Sequence, residues 1–334
     1  MKMKAIFLTK TTACVLTLWA LAYFTGIYKP MSIDREKGVI NGSGTSLQTT
    51  NNLPKRNQEH NSIDKRIWES FGWDKVPQNW VSSVIRRKQR LKDRCSARKT
   101  APFNYLKKLN WILVDDKYKL ILCTMLKAAS RNWRNVYQIL SGRQDPATVV
   151  FKGRKEYYTQ LYSNDYKNNS MRLASYLKIL VVRHPLERLV SAYKEQVLFR
   201  FLGPRVKTYI NQQYKRNITL QKHISFSDFL QYIADNGPNN IHWALVEDFC
   251  KPCDVQYDVI VHHEDLTTDA PNVLRLLGAE HLIAQFPSSH RKIESYRNAT
   301  LIQKYYSGID RELLKKVWDI YKEEASFLGY KLDL

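Results

Sequence analysis

Three short apolar runs stand out along the chain: YKLILCTML at 118–126, LKILVV at 177–182 and YDVIVHHEDL at 257–266. Their length and β-branched content suit buried strands. The segments around them carry helical spacing instead. A helix is predicted from about Asn132 to Leu140. Another opens at Pro185, since proline is tolerated at the first helical position, and sets Leu186, Leu189, Val190, Tyr193 and Val197 on one face. Asp269 and Pro271 read as the cap and first turn of a further helix through Leu277. The segment IDRELLKKVWDIYKEEASFLGY places Ile309, Leu313, Val317, Ile320 and Tyr321 on one side of an amphipathic helix. Strands alternating with helices predict an α/β fold: a central, mostly parallel sheet flanked by helices. No internal repeat is present.

The amino-terminal part has a different pattern. Residues 11–28, TTACVLTLWALAYFTGIY, are uncharged, with Lys2, Lys4 and Lys10 before them. A membrane span needs about 17–25 mostly apolar residues, and lysines favour the cytosolic side. The expectation is a type II anchor: a cytoplasmic tail at 1–10, a span at 11–28, a luminal stem at 29–85 and a luminal domain at 86–334. A cleaved signal peptide ending near Ala20 and Ala22 is the competing expectation. Either one sends the rest of the chain into the secretory pathway. Sequons at Asn41, Asn168, Asn217 and Asn298 agree with that placement.

Composition narrows the partners. With 44% apolar residues the chain can build a core, which excludes wholesale disorder. Its 53 Lys+Arg against 31 Asp+Glu leave a formal charge of +22, suited to a polyanion. The secretory placement disfavours nucleic acid and leaves anionic lipid or an acidic polysaccharide. The basic run from Arg86 to Lys99 is either a solvated helix face or a polyanion contact. Cys95, Cys123, Cys250 and Cys253 allow two disulfides in three possible pairings. Zinc at CKPC (250–253) is the weaker alternative, because a structural site takes four ligands and no second CxxC exists.

Two segments have the makings of phosphate sites. In LKAASRNWRNV (126–136) a buried strand turns into a helix, whose first turn presents free N–H groups and a positive dipole end. Lys127 adds a point charge, Ser130 and Asn132 add donors, and small Ala128 and Ala129 permit close approach. In VVRHPLERLVSAYKEQ (181–196), Arg183 ends a strand, Pro185 opens the helix and Ser191 lies on it. Arginine grips phosphate through paired hydrogen bonds.

In this order the two segments, KAASRNW and RHPLERLVSAY, resemble the phosphate loops of the Golgi carbohydrate sulfotransferases that include the chondroitin 4-O-, dermatan 4-O- and HNK-1 enzymes. HW…CKPCDVQYDVI…ED (242–265) and the ending at 309–330 are similar too, so the resemblance spans roughly residues 86–332. It implies a P-loop-like sulfotransferase fold and the donor PAPS, released as PAP. No metal is expected, since the transferred sulfuryl group carries less negative charge than a γ-phosphoryl and has less need of a metal clamp. Leu126, Lys127, Ala128, Ala129, Ser130, Arg131 and Asn132 would hold the 5′-phosphosulfate. Arg183, His184, Pro185, Leu186, Glu187, Arg188, Leu189, Val190 and Ser191 would form the 3′-phosphate segment. That family usually has proline and a small hydroxyl residue where this chain has Leu126 and Arg131. Arg131 either engages the phosphosulfate or faces solvent while Ser130 takes the hydroxyl role.

By analogy with phosphoryl transfer, the protein's contribution is positioning and charge stabilisation. Lys127 is expected at the bridging oxygen, and His242 as general base. His223, His262, His263 and Glu264 compete for the base role, His184 orients the second turn, and Trp243 is either core or a sugar platform. The expected acceptor is an acidic glycosaminoglycan, chondroitin or dermatan, at the 4-O position of N-acetylgalactosamine. The expected location is the Golgi membrane, with no nucleic-acid partner. A tethered glycosaminoglycan-binding protein without catalysis is the alternative.

Overall fold

The computed structural model describes residues 67, 69–96, 111–142, 166–219, 222–282 and 299–332. The tail at 1–10, the run at 11–28, Asn41 and Asn298 lie outside the described residues. No helix among the described residues is long and apolar enough to cross a membrane.

In chain order the main elements are α1 (Gln78–Ser96), β1 (Ile112–Asp115), β2 (Leu120–Thr124), α2 (Ser130–Leu140), α3 (Tyr166–Ser175), β3 (Leu177–Val182) and α4 (Pro185–Ala192). There follow α5 (Leu202–Tyr214), α6 (Phe226–Asn236), the short α7 (Val246–Cys250) and α8 (Pro252–Val255), β4 (Val259–His262), α9 (Leu266–Leu276), α10 (Ala299–Tyr306) and α11 (Arg311–Leu328).

The sheet runs β1-β2-β3-β4. β2, β3 and β4 are parallel, with Thr124 opposite Val181 and Val182 opposite His262, so their carboxyl ends come out together. Every residue of β2 and β3 is buried, which is why both read as unbroken apolar runs rather than alternating ones. The expected strands shorten at their ends. The 118–126 run contributes Leu120–Thr124, and 257–266 contributes only Val259–His262 before turning into a 3-10 helix at His263–Asp265. The antiparallel edge strand β1 is an addition to the expected set: at four residues it is too short to show a period.

Helix α9 corrects the expected boundary. It begins at Leu266, with Pro271 inside it, and not at Asp269. The Asp269 carboxylate does not cap the helix. It accepts from Trp80 Nε1 (2.8 Å), an Arg87 guanidinium nitrogen (2.7 Å) and the His262 N–H (3.1 Å). Its role was set by partners on α1, remote in sequence.

The same contacts resolve the basic run. Arg87 also bonds Asp265 (2.8 Å) and the Ile260 carbonyl (2.9 Å), and Lys88 reaches Asp258 (2.9 Å). These two cations therefore dock α1 against β4, while Arg86, Arg90, Lys92 and Arg94 remain exposed. Packing extends upstream of residue 86, since Ile67, Trp73, Trp80 and Val84 are buried with the sheet. Disulfides Cys95–Cys253 and Cys123–Cys250 tie α1 and β2 to the CKPC segment. That leaves no thiolate there for zinc.

A second apolar cluster lies beneath α4, α5, α6, α10 and α11, and includes Leu186, Leu189, Val190, Phe229, Trp243, Val317 and Tyr321. Asp310 caps α11 by accepting the Leu313 N–H at 3.0 Å. On α11, Leu313, Val317 and Tyr321 are buried, whereas Ile309 and Ile320 of the expected stripe are only half-buried.

Candidate functional site

Where β2 and β3 end side by side, two turns face each other. In the first, Lys127 (φ 74°) and Ala129 (φ 55°) both occupy the left-handed region, rare for residues with a Cβ. Ala128 between them is fully buried, and α2 starts without a side-chain cap. The first N–H groups of α2 thus have no intrahelical acceptor. Backbone strain of this kind persists only where its surroundings impose it.

The second turn is fixed on several sides. The His184 N–H donates to Glu264 (2.7 Å), and the Leu186 N–H donates to His184 Nδ1 (3.2 Å). His184 Nε2 donates to the Lys331 carbonyl (2.9 Å), so the ring carries its hydrogen on Nε2. Pro185 opens α4 as the sequence predicts. Arg183 joins the two turns: one nitrogen donates to the Lys127 carbonyl (3.2 Å), and the others pair with Glu187 (3.0 and 3.1 Å).

Past α4 the chain widens into a π-helical stretch, Tyr193–Leu198. Such stretches are frequent at functional sites. This one carries Glu195, whose carboxylate pairs with Lys127 and Arg131 and lies 3.6 Å from Arg200. Burial works against the Glu195 charge, but these cations outweigh it and hold its pKa below the ordinary value. Burial lowers the Lys127 pKa, aided by Arg131 and Arg200 and opposed by Glu195. Glu187, Ser191 and Glu195 follow one another at four-residue spacing, so this acid was visible as a continuation of the Ser191 face.

His242 joins this group electrostatically. Burial pushes its pKa down to about 4, with Lys127 and Arg200 adding to the fall and Glu195 opposing it. Its Nδ1 is buried and has no hydrogen-bond partner among the described residues. The competing histidines stand elsewhere. His223 is exposed before α6, while His262 and His263, at the end of β4, are pushed by burial to about 3 and about 2. Glu264 is committed to His184 and to the Tyr330 hydroxyl (2.9 Å), and burial raises its pKa. Trp243 is a core residue, 1% exposed, and packs edge-on against Phe229.

The remaining expected residues divide by exposure. Ser130 and Ser191 are half-buried. Asn132 and Leu126 are buried at the base of the first turn. Pro185, Leu186, Leu189 and Val190 point into the interior and shape α4. Arg188 is 1% exposed, and bonds the Ala244 carbonyl (2.7 Å) and Glu324 (3.0 Å). Its charge is consumed inside the fold, which separates it from Arg183 only five residues earlier. Glu187, His263 and Glu264 place ligand atoms within 4.8 Å of one another, but Glu187 is already held by Arg183 and Glu264 by His184 and Tyr330.

A family profile described as "Sulfotransferase family" matches residues 110–331, the interval that holds both turns, Glu195 and His242. Carbohydrate sulfotransferase 10 of Homo sapiens is 31% identical over 245 residues, covering 67% of each chain. Its Gallus gallus counterpart is 30% identical over 246 residues, again covering 67% of each. Carbohydrate sulfotransferase 11 of Rattus norvegicus is 29% identical over 247 residues, 67% of this chain and 68% of its own. No solved structure matches the chain.

Proposed function

Since the chain belongs to the sulfotransferase family, we propose that it transfers a sulfuryl group from PAPS to a sugar hydroxyl of an acidic glycan. The acceptor we favour is the 4-O position of N-acetylgalactosamine in chondroitin or dermatan. The observation that carries this reading is the joining of two cationic turns at adjacent strand ends, with Arg183 bonded to the Lys127 carbonyl at 3.2 Å. Ligands of open α/β sheets bind outside the carboxyl ends of the strands, and there this chain gathers Lys127, Arg131, Arg183 and Arg200.

In this scheme the α2 N-terminus and Lys127 hold the 5′-phosphosulfate, and Lys127 stabilises charge on the bridging oxygen as PAP leaves. Arg183 and Ser191 hold the 3′-phosphate. Neutral His242, with a buried ring nitrogen that has no hydrogen-bond partner among the described residues, takes the proton from the attacking hydroxyl. A bound anionic donor offsets the cations that depress His242 and raises its basicity. Arg131 belongs to the donor side, because it shares Glu195 with Lys127. The scheme assigns no metal.

We further place the protein in the Golgi membrane as a single-pass type II glycoprotein. The uncharged run at 11–28 and the exposed sequon residues Asn168 and Asn217 support that placement. Incubating the full chain with PAPS and chondroitin, dermatan and desulfated chains tests the activity, with the sulfated disaccharides identified. Sulfation of 4-O-N-acetylgalactosamine is expected; product on another sugar would refute the acceptor, and no transfer to any chain would refute the reaction. PAP at a hundredfold its Kd should also stabilise the protein by about 2.7 kcal/mol.

A further inference from the structure

Between the π-helical stretch and α5 the chain turns a corner through Phe199, Arg200 and Phe201. The two phenylalanines are 78% and 87% exposed, the most exposed large apolar residues among those described. The corner is held from behind by Gly203, where a Cβ would stand 2.3 Å from the Val197 carbonyl oxygen. Only glycine lets α5 press this closely on the preceding stretch, so the rings are presented on a braced turn.

The corner also borders the site. The Arg200 side chain is half-exposed and only 3.6 Å from Glu195, whose nearer partners are Lys127 and Arg131. That pairing is loose enough to leave the guanidinium able to take another anion. Its charge reaches both Lys127 and His242.

We propose that Phe199, Arg200 and Phe201 form the acceptor-binding edge of the site. The phenyl rings stack on the C–H faces of sugar rings, and Arg200 pairs with a carboxylate or sulfate on the same chain. This inference rests on the sulfate-transfer reading and adds the residues that select an acidic polysaccharide. Two features favour a glycan over a second protein copy or a lipid surface. An arginine set between two rings matches alternating apolar sugar faces and anionic substituents. The corner is also continuous, through Glu195, with the residues assigned to the donor.

The test uses the full chain, with PAPS as donor and chondroitin or carboxyl-reduced chondroitin as acceptor. Phe199→Ala/Phe201→Ala should raise the acceptor KM on the order of tenfold, with PAP affinity and melting temperature unchanged. Phe199→Tyr/Phe201→Tyr should restore the acceptor KM. Arg200→Gln should weaken use of chondroitin more than of its carboxyl-reduced form. An unchanged acceptor KM in the double alanine variant overturns the proposal, whatever happens to oligomeric state or membrane attachment. If the wild-type chain transfers no sulfate, the parent reading fails separately. Retention on immobilised chondroitin then tests the corner alone, and equal retention of wild type and the double alanine variant overturns it.

Discussion

The turn after β2 holds two residues in the left-handed region and starts its helix uncapped, whereas the turn after β3 is capped by His184, opened by Pro185 and pinned by Glu264 and the Lys331 carbonyl. The cations differ in the same way. Lys127 and Arg131 share one carboxylate, Glu195, on a π-helical stretch, while Arg183 is tied to Glu187 and to backbone. A grip on an unreactive phosphate gains from rigidity, because ordering is complete before the ligand arrives. A site for a group that changes charge during reaction needs donors whose partner can be exchanged. The Glu195 carboxylate occupies such donors.

The comparison breaks most directly at Lys127. Lys127→Ala should lower turnover about 10²–10³-fold. The fold should persist, since Glu195 keeps Arg131 and Arg200. Near-normal turnover at saturating PAPS would remove the first turn from the chemistry.

Arg183→Ala should weaken PAPS binding at least tenfold, as lost charge-assisted hydrogen bonds are worth about 1.5–3 kcal/mol each. Because Arg183 also holds the Lys127 carbonyl, turnover should fall as well, though less than in Lys127→Ala. Titrations with PAPS and with a donor lacking the 3′-phosphate separate the roles. A variant that melts lower but prefers the 3′-phosphorylated donor as wild type does would mark Arg183 as structural.

Arg131→Thr is a milder probe, since that side chain is 42% exposed. Donor affinity should fall about two- to fivefold, the range of a partly exposed ion pair. Unchanged or improved affinity would place Arg131 outside donor binding.

The smallest expected effect is on pH dependence. Histidine titrates near 6.5 when unfolded, but His242 is held down to about 4 in the folded protein. Its neutral form therefore contributes stability that is complete above about pH 6.5 and is lost as pH falls towards 4. His242→Gln should flatten the fall in unfolding free energy, and with it in melting temperature, across that window, removing the uptake of up to one proton on unfolding. Taking the difference from wild type separates this proton from Glu264 and Glu324, whose pKa values burial raises. Equal slopes would show that His242 is not desolvated beside the first turn.

The parallel strands, the Pro185 helix start, the Ser191 face and most of the α11 stripe were legible in the sequence. Each is written in neighbouring residues as an apolar run, a period or a local backbone constraint. So were Lys127 and Arg183, since both stand where a strand ends and a helix begins. Other assignments depended on residues that meet only when the chain is folded. Arg188 looks like Arg183 in sequence, yet a glutamate 136 residues away consumes its charge. Asp269 reads as a cap until Trp80 and Arg87 claim it. The disulfide pairing, the docking of Arg87 and Lys88 on β4, and the sharing of Glu195 by Lys127 and Arg131 were likewise decided by tertiary structure. Hydrophobic period is a property of neighbours along the chain, but ion pairing and desolvation depend on distance through space, which the fold alone sets.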